Sequence, residues 1–453
     1  MGAPAWSSYL DAATRQRALA IARGIAESLR DPARLARFIA VAHEQSPMAD
    51  ATAWQPHQMS GDLGLALVFG HLDACFPEQG WQRDAHRHLE AAARHLESLA
   101  PAPMGMFAGA AGLGFCAATL ARGGARYGRL LQRLDERAAE GAHALADRLL
   151  SGPGGHHISE FDLVSGLAGV MAYLLYRPGT PTIDAAVAAG VGAIVALAED
   201  GGGLPRWHTP GAMVAKYGET LKGEYPEGYL DCGAAHGMPG LLMVLSLACE
   251  RGAGAPGARA AVRHLAEWLL SHRRDDAWGI NWPPVVPLSI DEAGRALPVA
   301  PSRALGRATA RAGWCYGSPG IAPALWRAGV AVDEPRFRDA AVEAVLAALR
   351  RPDDERRIDS PTFCHGVAGL LQCVLRLANT SGHPALAEGA RALAAQLVAM
   401  REDTALLGYR AVEMGGVKVD QPGLVDGAAG VMAALLSATV DVEPAWDRAF
   451  LLS

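Results

Sequence analysis

Two hydrophobic patterns alternate along the chain. Segments such as "LAGVMAYLLY" (167–176) and "MPGLLMVLSLAC" (238–249) are apolar all round a helical period, which predicts helices buried on every side. Between them lie "DAHRHLEAAARHLESL" (84–99), "RLLQRLDERAAEGAHALADRLL" (129–150), "ARAAVRHLAEWLLSH" (258–272) and "ALAEGARALAAQLVAM" (385–400), each with one apolar stripe and one wet face. The alternation predicts pairs of one inner and one outer helix.

A Gly-x-x-Gly followed by Leu, Ile or Val opens each buried segment: "GDLGL" (61), "GAAGL" (109), "GLAGV" (166), "GMPGL" (237), "GSPGI" (317), "GVAGL" (366) and "GAAGV" (427). Successive units lie 48 to 80 residues apart, whereas two other Gly-x-x-Gly matches, at 152 and 254, are followed by His and Ala. Self-similarity of this kind marks a repeat architecture. Closing the repeats into a ring buries every inner helix without special end caps, which an open solenoid needs. The expected fold is all-α: an α/α toroid, or double-layered barrel, of seven inner and seven outer helices in one domain over residues 1–453, with the repeats at about 60–430. A small β or loop insertion is expected at 273–310, where "WGINWPPVV" (278–286) and "GRALPVA" (294–300) read as short strands.

Composition adds exclusions. Half of the 453 residues are apolar and 19% are charged, as in a soluble globular chain. A net charge of -6 gives no electrostatic footprint for nucleic acid or an anionic membrane surface. No apolar run reaches the roughly 20 residues of a membrane span, and residues 1–29 read as an amphipathic helix, not a signal segment. These features suggest a cytoplasmic protein. Seven scattered cysteines are too few for a disulfide framework, and most read as small buried hydrophobes.

In a ring, residues at one offset from the glycines emerge at one end, around the axis. Immediately before the first glycine stand Ser60, Ala108, Ser165, His236, Tyr316, His365 and Asp426; one position earlier stand Met59, Phe107, Val164, Ala235, Cys315, Cys364 and Val425. Cys315 and Cys364 belong to neighbouring repeats, and His365 follows Cys364 directly. Such a Cys2His set suits Zn2+ and leaves a fourth tetrahedral position open, as in catalytic zinc sites. Three alternatives stay open at this level. The thiols are core packing; Cys232, Cys373 or His236 closes a structural site; or a cysteine and a histidine form a metal-free nucleophilic dyad.

The motifs "FDLVSGLAG" (161–169), "AHG" (235–237), "GWCYG" (313–317) and "CHG" (364–366), set in the Gly-x-x-Gly array, resemble the lanthionine synthetase C family of lantibiotic cyclases. The resemblance runs over about residues 60–430 and implies an α/α toroid with one zinc per chain. The implied reaction adds peptide cysteine thiols to dehydroalanine or dehydrobutyrine, closing thioether rings, and the length fits a free-standing cyclase. Carried over by motif, the zinc ligands fall on Cys315, Cys364 and His365, and the acid/base histidine on His236. The carboxylate falls on Asp162, the arginine on Arg311 and the tyrosine on Tyr316. Arg311 is expected to anchor Asp162 or the developing enolate. Simpler readings stand beside these roles: Asp162 as a helix cap, His236 and Tyr316 as packing, and Arg303, Arg307 and Arg311 as one solvated face. The resemblance implies a dehydrated precursor peptide with its leader as partner, together with a dehydratase and an exporter, and peripheral membrane association through that complex. Two other functions use similar parts, a glutathione-adding or glutathione-binding relative and a zinc prenyltransferase-like barrel. The Cys-His pair disfavours the second.

Overall fold

The computed structural model describes residues 6–50, 52–124, 126–152, 154–199, 203–214, 219–299 and 310–453. The first half carries α1 (Ala12–Arg30), α2 (Pro32–Gln45), α3 (Asp62–Cys75), α4 (Trp81–Ser98), α5 (Ala110–Ala121), α6 (Gly128–Leu150), α7 (Ile158–Phe161), α8 (Leu167–Tyr176) and α9 (Pro181–Leu197). The middle carries α10 (Gly211–Val214), α11 (Glu219–Glu224), α12 (Met238–Glu250) and α13 (Ala258–Ser271). The last part carries α14 (Ser318–Ala331), α15 (Pro335–Arg350), α16 (Asp353–Arg356), α17 (Val367–Ser381), α18 (Pro384–Ala399) and α19 (Ala428–Thr439).

Each Gly-x-x-Gly unit opens a helix at the residue after its first glycine: α3, α5, α8, α12, α14, α17 and α19. These helices are buried almost throughout, and all twelve residues of α19 are buried. By contrast α4 buries only the stripe Trp81, Asp84, Ala85, His88, Leu89, Ala92 and Leu96. The buried helices pack in sequence order, and α19 packs back on α3, so the ring closes. Outside them α4, α6, α9, α13, α15 and α18 each pack on the preceding buried helix. The outer partner of α19 is α1, from the opposite end of the chain. Trp6 pins that junction by donating its indole hydrogen bond to the Ser437 carbonyl at 2.9 Å.

The glycines have a steric task. The loop before each helix folds back over its first turn, so a Cβ on Gly317 would lie 1.9 Å from the Arg311 carbonyl, and one on Gly366 would lie 2.3 Å from that of Ser360. Gly317 also has φ of +129°, which side chains rarely tolerate. The fold-back satisfies helix N-terminal donors, as where Val367 N bonds Ser360 O at 3.0 Å and Ala428 N bonds Gln421 O at 2.9 Å. It also knits neighbouring repeats through the residues two before each glycine. Met59 N donates to Phe107 O and Phe107 N to Val164 O; further round, Ala235 N donates to Cys315 O, Cys315 N to Cys364 O, and Cys364 N to Val425 O. Equal offset therefore places residues on one rim.

Short strands are added to the helices. β1 (Thr209–Pro210), β2 (Gly228–Asp231), β3 (Arg274–Asp276), β4 (Gly279–Asn281), β5 (Val285–Ile290) and β6 (Ala296–Pro298) precede α14, and β7 (Ala411–Val412) pairs with β8 (Lys418–Val419) beyond α18. The strands read at 278–286 and 294–300 correspond to β4, the start of β5, and β6. Antiparallel pairing orders one sheet β1-β2-β5-β6, so the insertion is tied to a segment near residue 230 that the hydrophobic pattern did not mark as strand. The end of the expected insertion, with Arg303 and Arg307, lies outside the described residues.

Below the rim, Trp314 and Phe363, each one residue before a ring-end cysteine, meet the C-terminal segment. Phe450 packs against Trp314, Phe363, Phe107 and Trp446, and its carbonyl accepts the Trp314 indole hydrogen bond at 2.9 Å. Among the described residues no helix is long and apolar enough to cross a membrane.

Candidate metal centre

Cys315, Cys364 and His365 come together at the rim, with one donor atom from each within 4.8 Å of the others. Consecutive fold-back loops carry them, and the hydrogen bond from Cys315 N to Cys364 O at 3.1 Å joins those loops directly. Their electrostatics suit a metal. A hydrogen bond from Cys364 is the largest influence on the Cys315 thiol, and with His365 and Arg311 it outweighs burial and draws that thiol well below its ordinary value. The same hydrogen bond pushes Cys364 up, because its thiol holds the shared proton, and burial and the charge on Cys315 add to that. The hydrogen bond to Cys315 raises His365 against the effect of burial. Behind His365, Asp426 Oδ1 lies 3.7 Å from Nδ1, the kind of carboxylate that orients ligating histidines.

The fourth-ligand alternatives separate from this group. Cys232 and Cys373 are buried thiols pushed up mainly by burial, and among the described residues neither they nor His236 join the cluster. Burial likewise raises Cys116 and Cys249. These four behave as packing residues.

The cluster opens on a cavity of about 590 Å³, whose wall includes Cys315, His365, Tyr316, Arg311 and Asp426. Trp54, Met48 and Met414 also line it, the last 72% exposed on the β7–β8 hairpin.

His236 stands at the rim in the neighbouring repeat, a third exposed. Its Nδ1 lies 2.7 Å from Asp162 Oδ2, while Asp162 Oδ1 accepts from the backbone of Ser165 at 2.7 Å and Gly166 at 2.9 Å. One carboxylate therefore caps the turn into α8 and also holds the imidazole. Burial would lower His236, but the hydrogen bond and charge of Asp162, helped by Asp231 and Cys315, raise it above its ordinary value. Arg311 is exposed, lines the cavity beside Cys315, and is absent from the hydrogen bonds found around Asp162.

Asp231, which no motif singled out, ends β2 almost fully buried. Its Oδ2 accepts from the Tyr316 hydroxyl at 2.9 Å and its Oδ1 from Gly233 N at 2.7 Å. Burial pushes its carboxyl up to about 6, although His236, Gly233 and Tyr316 all pull it down. Burial and then Asp231 push the Tyr316 phenol well above its usual value. A column six residues before the first glycine would have shown Asp231 and Arg311 at equivalent places in adjacent repeats.

Residues 53–451 match the family described as Lanthionine synthetase C-like protein, nearly the whole length of the chain. The chain belongs to that family. Within the lanthionine synthetase C-like family, the chain is 24% identical over 330 residues to the nisin biosynthesis protein NisC of Lactococcus lactis subsp. lactis, covering 71% of this chain and 74% of that one. The solved structure of nisin cyclase superposes with a TM-score of 0.71 at 20% identity, covering 92% of this chain and 97% of the other. At that identity the superposition bears on the fold.

Proposed function

We propose that this chain is a zinc-dependent peptide cyclase that adds cysteine thiols to dehydroalanine or dehydrobutyrine of a dehydrated precursor peptide, forming (methyl)lanthionine rings. The observation that carries the proposal is the Cys315–Cys364–His365 cluster on the wall of an open cavity, in a chain of the lanthionine synthetase C-like family. The toroid reading, with seven inner and seven outer helices, belongs to the same proposal, and α1 then completes the outer layer.

The donor set fits zinc: two thiols and an imidazole, one thiol already drawn toward its thiolate. Cys315, Cys364 and His365 would hold one zinc, whose Lewis acidity would lower the pKa of an incoming peptide thiol, ordinarily about 8.5, toward neutral pH. In the reaction a sulfur–carbon bond forms at the β-carbon, the double-bond electrons move into an enolate, and the α-carbon takes a proton. The thiol gives up one proton, so the peptide gains and loses no atoms. His236 donates the α-carbon proton, directly or through a water. Asp162 fixes its tautomer, because a carboxylate at Nδ1 keeps that nitrogen protonated and leaves Nε2 to act. Arg311 offers its charge to the enolate from the cavity wall. Met48, Met414 and Trp54 supply an apolar side against which peptide residues rest.

This reading places the enzyme in the cytoplasm with a leader-bearing peptide, and with a dehydratase and an exporter as partners. Incubation of purified protein with a dehydrated, cysteine-containing peptide, with and without glutathione, tests it by mass spectrometry after thiol alkylation. A cyclase protects the peptide cysteines from alkylation at unchanged mass. Addition of glutathione mass with the cysteines still free identifies a glutathione-adding enzyme and sinks the cyclase reading.

A further inference from the structure

Asp231 holds one end of a loop whose other end is His236. Both are fixed before α12 begins, since Gly237 N bonds Gly233 O at 2.8 Å. The middle of the loop lies against the next repeat, where a Cβ on Gly233 would come within 2.6 Å of the Tyr316 ring and 2.7 Å of the Cys315 carbonyl. Asp231 joins these two pieces of backbone. It is 3% exposed, and each carboxylate oxygen has one donor, Gly233 N on its own loop and the Tyr316 hydroxyl on the metal-cluster loop. Burying a carboxylate is costly unless it is hydrogen-bonded, so it belongs to a rigid arrangement. Tyr316 lines the cavity, whereas Asp231 does not.

We infer that Asp231 is a positioning residue for the cyclisation: it accepts the hydroxyl hydrogen bond of Tyr316, so that Tyr316 faces the peptide as an acceptor and not as the proton donor, and it fixes His236 relative to Cys315. The inference rests on the cyclase reading. An ionised carboxylate only accepts, so the single phenolic proton lies between the two groups and the remaining lone pairs of the phenol are left for a peptide N–H. Proton delivery then falls to His236. The Asp231–Tyr316 bond bridges the fourth and fifth repeats much as Cys315 N to Cys364 O bridges the fifth and sixth.

The test is a double-mutant cycle on zinc-loaded, full-length protein, with Asp231→Asn, Tyr316→Phe and the pair. Initial rates of ring closure, KM for a dehydrated peptide and zinc content are measured for each. Asn satisfies only one of the two donors that Asp231 serves, and Phe keeps the ring while deleting the hydroxyl. Each single variant is expected to keep its zinc and to lose roughly ten- to hundredfold in kcat, the range for a lost hydrogen bond to a charged group, with a smaller rise in KM from the weakened peptide contact. The double variant is expected to fall no further than the worse single one. Losses that multiply would show that Asp231 does not act through Tyr316, and a KM effect with unchanged kcat, or zinc lost from Asp231→Asn, would overturn the assignment equally. Should Asp231→Asn fail to fold, Asp231→Glu takes its place in the same cycle: losses that multiply with those of Tyr316→Phe sink the proposal, and a double variant no slower than the worse single one sustains it. Wild type is run alongside, because a wild type that closes no ring sinks the cyclase reading itself, whereas an active wild type with multiplicative losses sinks only this inference.

Discussion

His236 Nδ1 and Asp162 Oδ2 lie 2.7 Å apart across two repeats, and Asp162 is held on its other oxygen by two backbone amides. The imidazole is thereby aimed by a carboxylate that has no freedom of its own. His236→Asn should keep zinc and bind dehydrated peptide, yet close rings more slowly by the roughly hundred- to ten-thousandfold typical of a lost general acid. Rates on a peptide that does not cyclise spontaneously check this. Zinc lost from the variant would make His236 a ligand, and an unchanged rate would remove it from the mechanism.

The same pair sets a pH dependence. Burial lowers His236, but Asp162 and the neighbouring charges raise it above its ordinary value, so the protonated, donating form persists further toward alkaline pH. As pH rises through that raised value the acid is lost and kcat falls. Removing the Asp162 charge takes away its largest support, so Asp162→Asn should move this alkaline limb to lower pH. A limb that stays in place in kcat–pH profiles would assign it to another group.

Metal content gives an independent check. The protein should carry one zinc per chain, and Cys315→Ala, Cys364→Ala or His365→Ala should lose it, as read by elemental analysis. Chelation should leave far-ultraviolet circular dichroism unchanged, because the buried helices hold the fold without the ion. A full metal complement in both cysteine variants would refute the ligand set.

The site depends on its floor. Trp314, next to Cys315 in the chain, is 1% exposed, stacks on Phe107, packs tilted against Phe363 and edge-on against Phe450, and donates its indole hydrogen bond to the Phe450 carbonyl. Trp314→Ala should cost about 3–5 kcal/mol of stability, as large-to-small substitutions of buried aromatics do. It should also weaken zinc retention by freeing the Cys315 backbone. Denaturant unfolding of the zinc-free protein isolates the first effect, and a cost near that of a surface substitution, about 0.5 kcal/mol or less, would contradict the packing argument.

Much of the fold and the metal cluster was legible because the glycines do local steric work. Six-residue fold-back over Gly317 and Gly366 forces equal offsets onto one rim, so a column of residues two before each glycine juxtaposes Cys315 and Cys364 in the sequence itself. What stayed hidden depends on contacts distant in sequence. The pairing of α1 with α19 joins the two ends of the chain, and the packing of Phe450 under Trp314 spans 136 residues. Neither leaves a periodic trace. Asp231 sits on a strand of four residues that the helical pattern passed over, yet its column, six before the glycine, was readable.

Arg311 stands apart from Asp162. Motif transfer left it anchoring either Asp162 or the enolate, but Asp162 bonds Ser165, Gly166 and His236, while Arg311 stands on the cavity wall beside Cys315. A guanidinium there favours negative charge on its neighbours, as its lowering effect on Cys315 shows. In the proposed mechanism its role is electrostatic and separate from the His236–Asp162 pair, which makes a distinct kinetic prediction. Arg311→Ala should slow ring closure by roughly tenfold or more, Arg311→Lys should recover part of that by restoring charge without the planar fork, and Arg311→Ala combined with Asp162→Asn should multiply the two single losses. Multiplication follows because groups with no shared partner contribute independently. A double variant no slower than Asp162→Asn alone would return Arg311 to the role of anchor for that carboxylate.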